Sequence, residues 1–158
     1  MNEKAIEDLR SQIRGDVIPP GNERYDGARK VYNAMIDKHP AIMIRCVDAA
    51  DVIAAVKMAK TQGLAVAVRG GGHSVPGFGT ADAALVVDLG RMKGVRVDPA
   101  SKTVWAEGGC TWGDFNHATY AFGMVTTGGI ISTTGIAGLT LGGASATSPE
   151  GPVCPWTI

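Results

Sequence analysis

Three consecutive glycines between an arginine and a histidine form the feature that most limits what this chain can fold into. The run reads Arg69-Gly70-Gly71-Gly72-His73-Ser74 and follows the short apolar segment 64–68. Glycine has no Cβ atom, so a large ligand can approach this backbone closely. The N–H groups can bind an anion, and an arginine adds a fork of donors suited to phosphate. The loop therefore indicates a nucleotide cofactor beside one nucleophilic imidazole; the alternative is a glycine-rich turn with a solvated histidine.

Two common nucleotide-binding templates do not fit this loop. It lacks the G-x-G-x-x-G pattern that opens a helix, and it lacks G-x-x-x-x-G-K-[ST]. These departures argue against a nicotinamide-binding Rossmann site and against a P-loop NTPase. Gly77 and Gly79 extend the flexible segment, which favours a ligand wrapped by the chain.

Composition excludes several classes of function. The chain has 158 residues, enough for one domain or for two small lobes that share a core. The 15 basic and 15 acidic residues cancel, so nothing favours nucleic acid or an anionic membrane as a partner. No apolar run approaches the roughly 20 residues that a membrane helix needs. The charged start, Met1 to Lys4, lacks a signal-peptide core, and we expect a cytoplasmic location.

The cysteines and the remaining histidines point to no metal site. Cys46, Cys110 and Cys154 are an odd, widely spaced set, which argues against a disulfide framework and has no zinc-site spacing. We expect Cys110 to have a role in packing or in a loop contact, and His39 and His117 to be structural or solvated.

The first half of the chain predicts a β-α-β unit. Residues 3–13 form a candidate amphipathic helix, and the Pro- and Gly-containing segment 15–27 is expected to be irregular. Residues 41–47 and 64–68 have the pattern of buried strands. The helix between them has Asp48 as N-cap with Asp51 in the capping-box position, ends at Gly63 and presents Val52, Val56 and Ala59 on one face. This spacing predicts a right-handed parallel crossover.

The second half predicts a strand, a hairpin and a capped helix. Residues 84–88 form the strand, and 94–98 with 103–107 form the hairpin, turning at Asp98-Pro99-Ala100-Ser101. Thr111 precedes a helix over 112–121, with Asp114 at the capping-box position and Gly123 beyond its end.

A second segment rich in small residues spans 125–143. Its hydroxyl groups and glycines would allow close backbone approach by a ligand, and its candidate binding residues are Thr126, Gly128, Thr133, Thr134, Gly135 and Gly138. The alternative is a packing segment between strands. Two such loops in one short chain favour a bound dinucleotide.

Four motifs in this order resemble one family. They are Arg69 to Ser74, Val86-Val87-Asp88-Leu89, Glu107 to Trp112, and Gly135 to Gly143. The sequence resembles the FAD-binding domain of the vanillyl-alcohol-oxidase (PCMH) superfamily, and within it the berberine-bridge-enzyme-like FAD-linked oxidases. The resemblance covers residues 35–143. It implies an α+β fold of the PCMH type, with two α/β lobes of which the second is incomplete.

The resemblance also implies a cofactor and its contacts. FAD would be bound by Arg69, Gly70, Gly71, Gly72, Ser74 and Gly77 on one side and by Thr126, Gly128, Thr133, Thr134, Gly135 and Gly138 on the other. His73 stands where relatives bond covalently to the flavin 8α-methyl group; a noncovalent loop histidine is the alternative. Some relatives carry a second, cysteine anchor, but that position holds Ile131 here. We therefore expect one covalent bond. Asp88 is left open between a structural role and a cofactor role.

The chain departs from the family in length. Residues 1–34 are a helix and irregular lead-in, 35–143 the FAD-binding domain, and 144–158 a proline-rich tail that we expect to be disordered or loosely packed. Relatives carry a second domain that supplies the substrate pocket and the catalytic base. We expect a truncated, frameshifted or fragmentary oxidoreductase domain that meets a small-molecule substrate only if a second domain is supplied. The alternatives are a non-catalytic flavin-binding module and a noncovalent, reductase-like FAD domain.

Overall fold

The first lobe is built on a four-stranded sheet. In the computed structural model, which describes residues 3–142, the strands are β1 (Asp16–Ile18), β2 (Ile42–Arg45), β3 (Val66–Arg69) and β4 (Leu85–Asp88), in the order β1-β2-β4-β3. β1 is antiparallel to β2, whereas β2 and β3 both run parallel to β4. The predicted parallel β-α-β unit is therefore confirmed, with β4 inserted between its two strands.

Helices cover both faces of this sheet because β4 is apolar on both sides. Leu85 and Val87 pack with α1 (Glu3–Gln12) and α3 (Ala49–Gln62), while Val86 packs in a second cluster with Tyr25 and Ala28. These last two residues belong to α2 (Tyr25–Arg29). A strand buried on both faces is typical of parallel sheets between helices.

The ends of α3 follow the sequence signals. The Asp48 carboxylate accepts a hydrogen bond from the Asp51 N–H at 3.0 Å, and Gly63 ends the helix with φ 64°. The face of α3 was predicted incompletely, since Val56 is 46% exposed and Ala55 lies in the core in its place. Which positions of α3 face the interior depends on how the helix packs on the rest of the lobe, which the sequence does not show.

Asp51 does not complete the predicted capping box. Its buried carboxylate accepts hydrogen bonds from the backbone N–H groups of Arg14, Gly15 and Val47 at 2.8, 3.0 and 3.0 Å. Three amide donors satisfy a carboxylate that would otherwise be costly to bury. The side chain therefore joins the start of the chain to α3.

The second lobe combines a hairpin with two helices. β5 (Val95–Asp98) pairs with β6 (Thr103–Ala106), and α4 (Trp112–Tyr120) and α5 (Ile136–Leu141) complete the lobe. Its core contains Val104, Cys110, Trp112, Phe115 and Ile136. The Thr111 and Asp114 capping box is present as predicted, and Cys110 is fully buried, which fits a role in packing.

Two expectations about secondary structure need correction. The segment 15–27 is not irregular throughout, because β1 lies within it and α2 begins in it. Both elements are short and depend on tertiary contacts, such as the hydrogen bond that the Tyr25 hydroxyl donates to the Pro40 carbonyl at 2.6 Å. α5 was not anticipated either. The tail 144–158, with Gly143 before it, lies outside the described residues. None of the helices between residues 3 and 142 has the length and apolar character needed to cross a membrane.

Candidate functional site

The glycine-rich loop lies at the end of β3, between two adjoining clefts. Their volumes are about 380 and 460 Å³. Both clefts are lined by Arg69, Gly70, Gly71, Gly72 and His73. Thr133 lines the smaller cleft, and Ser74, Thr134, Gly135 and Gly138 line the larger one. The structure thus brings together most of the residues that the sequence predicted to bind the cofactor.

The loop backbone offers hydrogen-bond donors. Among residues 3–142, the N–H groups of Gly71, Gly72 and His73 donate no hydrogen bond. Gly72 has φ 71°, a left-handed conformation that glycine adopts without strain. Successive amides in a turn of this kind can bind an anion. The loop therefore fits the diphosphate of a dinucleotide such as FAD.

Two glycines hold the loop against the second lobe. A Cβ on Gly71 would lie 2.3 Å from the Gly135 nitrogen, and a Cβ on Gly135 would lie 2.4 Å from the Gly71 nitrogen. Each backbone therefore occupies the space that a side chain on the other would need. Gly70 is also close, since its Cβ would lie 3.0 Å from the Gly108 carbonyl oxygen. These glycines permit the approach of two chain segments as well as of a ligand.

His73 is held on three sides. Its Nε2 lies 3.0 Å from the Thr133 hydroxyl, and its Nδ1 lies 3.3 Å from the Thr134 hydroxyl. The ring of Tyr32 stacks on the imidazole, with 4.0 Å between ring centroids and 16° between ring planes. A threonine hydroxyl can donate or accept, so it serves either tautomer of a neutral histidine. The imidazole is half-buried at the junction of the two clefts.

Arg69 is turned into the fold rather than towards a ligand. Its Nη2 lies 2.7 Å from the Asp88 carboxylate, and its Nη1 donates to the Lys30 carbonyl at 3.3 Å. Arg45 also contacts Asp88, at 3.3 Å, and the Gly90 N–H donates to it at 2.9 Å. Asp88 therefore has a structural role, although it also lines the smaller cleft. The Arg69 guanidinium is engaged by Asp88 and by the Lys30 carbonyl, and the phosphate contact predicted for it stays a prediction.

Three other predicted residues have roles in local structure. The Ser74 hydroxyl accepts a hydrogen bond from the Phe78 N–H at 3.1 Å, and Gly77 adopts φ 80° in the turn between them. A Cβ on Gly128 would lie 2.3 Å from the ring of Trp112, so this glycine is needed for packing. In the described part of the chain, Gly77, Thr126 and Gly128 line neither of the two clefts. Their contact with a cofactor stays a prediction.

The residues on one side of the smaller cleft were not predicted from the sequence. Lys30, Val31 and Tyr32 line it, although they precede the predicted domain. No motif marks these residues, because the stacking of Tyr32 on His73 joins positions far apart in the chain.

Sequence comparison identifies the family. A family model described as an FAD binding domain matches residues 40–154. The chain belongs to this family of FAD-binding domains, in the group found in FAD-linked oxidoreductases.

Three relatives illustrate the similarity. The FAD-linked oxidoreductase hasG of Aspergillus fumigatus is 39% identical over 138 residues, covering 86% of this chain. The crystal structure of 6-hydroxy-D-nicotine oxidase from Arthrobacter nicotinovorans matches 80% of the chain at 31% identity, with a TM-score of 0.78. A berberine-bridge-enzyme-like protein of Physcomitrella patens, solved as a variant, matches 86% at 32% identity, with a TM-score of 0.79.

The match covers a minority of each relative. The chain spans 29% of hasG, 28% of the nicotine oxidase and 30% of the Physcomitrella protein. These comparisons confirm the predicted α+β fold of the PCMH type and the resemblance to FAD-linked oxidases.

Proposed function

We propose that this chain binds FAD along the loop from Gly70 to His73, as the cofactor domain of a flavin-dependent oxidoreductase of the oxidase type. The observation that carries the proposal is the row of loop N–H groups without acceptors between residues 3 and 142, set between two clefts. Gly70, Gly71, Gly72 and Ser74 would form one side of the site, with Gly77 shaping the turn that follows, and Thr133, Thr134, Gly135 and Gly138 would form the other. When bound, FAD supplies the capacity to accept a hydride from a substrate carbon and to be reoxidised by O₂.

We extend the proposal to a single covalent bond between His73 and the flavin 8α-methyl group. A neutral imidazole nitrogen is a competent nucleophile near neutral pH. His73 lies where the two clefts meet, and each ring nitrogen has one threonine hydroxyl as its neighbour. Forming the bond would release one of these two contacts, while the other would keep the ring in place. A C–N bond would replace one C–H bond of the methyl group, and the imidazole would lose its N–H proton. The two electrons and two protons set free would pass to the flavin, which O₂ would reoxidise with formation of H₂O₂. Ile131, at the position of the second anchor in some relatives, has no nucleophile.

Acid precipitation of the purified chain tests both parts of the proposal. We expect a flavin absorption spectrum in the native protein and flavin retained in the washed precipitate. His73→Ala should release all flavin into the supernatant. His117→Ala is the matched control, because His117 is exposed on α4, and it should retain flavin like the wild type. A wild-type chain that binds no FAD would contradict the whole proposal. A wild-type chain that binds FAD but releases all of it in acid would contradict only the covalent bond.

The same acid-precipitation experiment, together with an assay for peroxide, distinguishes two alternative functions. Flavin that is bound but released by acid favours the noncovalent, reductase-like domain. Flavin that is retained without peroxide formation on any offered substrate favours a non-catalytic module, in keeping with a chain that spans about 29% of its relatives. The substrate and the second domain that would bind it are proposals in either case.

A further inference from the structure

The segment before the matched domain is bound to the cofactor loop by three hydrogen bonds. The Lys30 carbonyl accepts from Arg69 at 3.3 Å, the Tyr32 N–H donates to the Gly72 carbonyl at 3.0 Å, and the Asn33 side chain donates to the Val75 carbonyl at 2.9 Å. The segment therefore follows the loop along its length.

These contacts fix the loop as well as the segment. A peptide unit is planar and trans, so the carbonyl of one residue and the N–H of the next point in opposite directions. The bond from Tyr32 to the Gly72 carbonyl consequently sets the direction of the His73 N–H, one of the donors without an acceptor among residues 3–142.

The side chain of Tyr32 acts on the imidazole. It stacks on one face of His73 at a centroid distance of 4.0 Å, while Thr133 and Thr134 contact the two ring nitrogens. One face and both nitrogen edges are thus held, which limits rotation of the ring. Tyr32 itself is 69% exposed, so burial of its side chain in a core does not explain its place.

We infer that Lys30 to Tyr32 form a wall of the FAD site and that Tyr32 is a positioning residue that sets the His73 imidazole before FAD binds. The inference rests on the proposed function. It extends the binding unit beyond the family match, which begins at residue 40. A ring that is already oriented does not lose that freedom on binding, so the affinity for FAD is higher.

The test uses the full chain, produced free of flavin in a riboflavin auxotroph. In the flavin-free protein, NMR reports the His73 ring protons, which the Tyr32 ring current shifts upfield. Tyr32→Leu should move these signals downfield and weaken the initial, noncovalent FAD affinity about three- to tenfold, the range for one stacked aromatic pair. Tyr32→Phe keeps the aromatic ring and should preserve both the His73 ring-proton shifts and the FAD affinity. Tyr120→Leu removes a tyrosine that is 85% exposed on α4 and should change neither.

A double-mutant comparison separates positioning from a general effect on structure. In a His73→Ala background, Tyr32→Leu should cause a clearly smaller loss of FAD affinity than in the wild type, because the part of its effect that passes through the imidazole is gone. An equal loss in both backgrounds would overturn the positioning role. Unchanged His73 signals or unchanged FAD affinity in Tyr32→Leu would also overturn the positioning role of Tyr32. Either result would leave the proposed binding of FAD unaffected. A wild-type chain that binds no FAD defeats both proposals, while the ring-proton shifts still report whether the stacking exists.

Discussion

The contact between Gly71 and Gly135 gives the sharpest prediction for stability. In Gly71→Ala the new Cβ would lie 2.3 Å from the Gly135 nitrogen, 2.8 Å from its Cα and 3.1 Å from the Thr133 carbonyl oxygen. All three are backbone atoms, so no side chain can rotate away. An ordinary contact of roughly 3.4 Å requires the two segments to separate by about 1 Å, and such overpacking costs about 1–3 kcal/mol.

Thermal unfolding followed by circular dichroism measures this cost. For a chain of this size, about 1–3 kcal/mol corresponds to a Tm lower by roughly 3–10 °C. Gly27→Ala is the control, because its Cβ would meet nothing within 4 Å, and it lies within the helix α2. Alanine is favoured over glycine in a helix, so this variant should melt at the wild-type temperature or above. The reasoning is refuted if Gly71→Ala melts within about 1 °C of the wild type, because the lobes would then be free to adjust.

Three further predictions concern charge and reactivity. Asp88→Asn leaves two arginines without their buried carboxylate and should lower the free energy of unfolding by about 3 kcal/mol or more in urea. Asp26→Asn removes a carboxylate that is 81% exposed, from an Arg29 that keeps Asp37 as a partner, and should cost under about 1 kcal/mol; equal losses would contradict this difference. Burial raises the pKa of Asp114, but hydrogen bonds from Lys93 and Thr111 outweigh it, so that the pKa lies below its usual value. Its stabilising contribution is therefore complete above about pH 4 and declines as the pH falls through the lowered pKa, so the stability difference between wild type and Asp114→Asn should shrink at acid pH; a difference that grows there would be inconsistent with the lowered pKa. Burial raises the pKa of the Cys46 thiol to about 12, so iodoacetamide at pH 8 should modify it only after unfolding, as peptide mass mapping would show; rapid native labelling would contradict the burial.

Local signals explain why much of the fold could be predicted. The ends of α3 and the start of α4 depend on side chains adjacent in sequence, namely Asp48, Gly63, Thr111 and Asp114, and the structure has them as predicted. The hairpin β5-β6 is equally local. In contrast, β1 has three residues and exists because it pairs with β2, so its own sequence carries little signal.

The candidate site was likewise predicted in part, and the part that was not predicted depends on contacts between distant segments. The order of the motifs identified the loop and its cofactor class, and the clefts bring Gly70 to His73 together with Thr133 and Thr134. The sequence did not show that Arg69 pairs with Asp88, that Gly128 packs on Trp112, or that Tyr32 stacks on His73. Each of these facts depends on where distant segments meet, which residue type and spacing do not specify.

The meeting of Gly71 with Gly135 also bears on how the protein is synthesised. The loop rests against a residue 64 positions further along the chain. The glycine-rich loop therefore cannot reach its final packing while only the first lobe of the protein has left the ribosome. The first lobe can pair its four strands earlier, but the imidazole gains its two threonine neighbours only after Thr133 and Thr134 have emerged. Under the proposed function, cofactor loading would follow translation of the second lobe, and we predict that a nascent chain stalled before Gly135 retains no FAD.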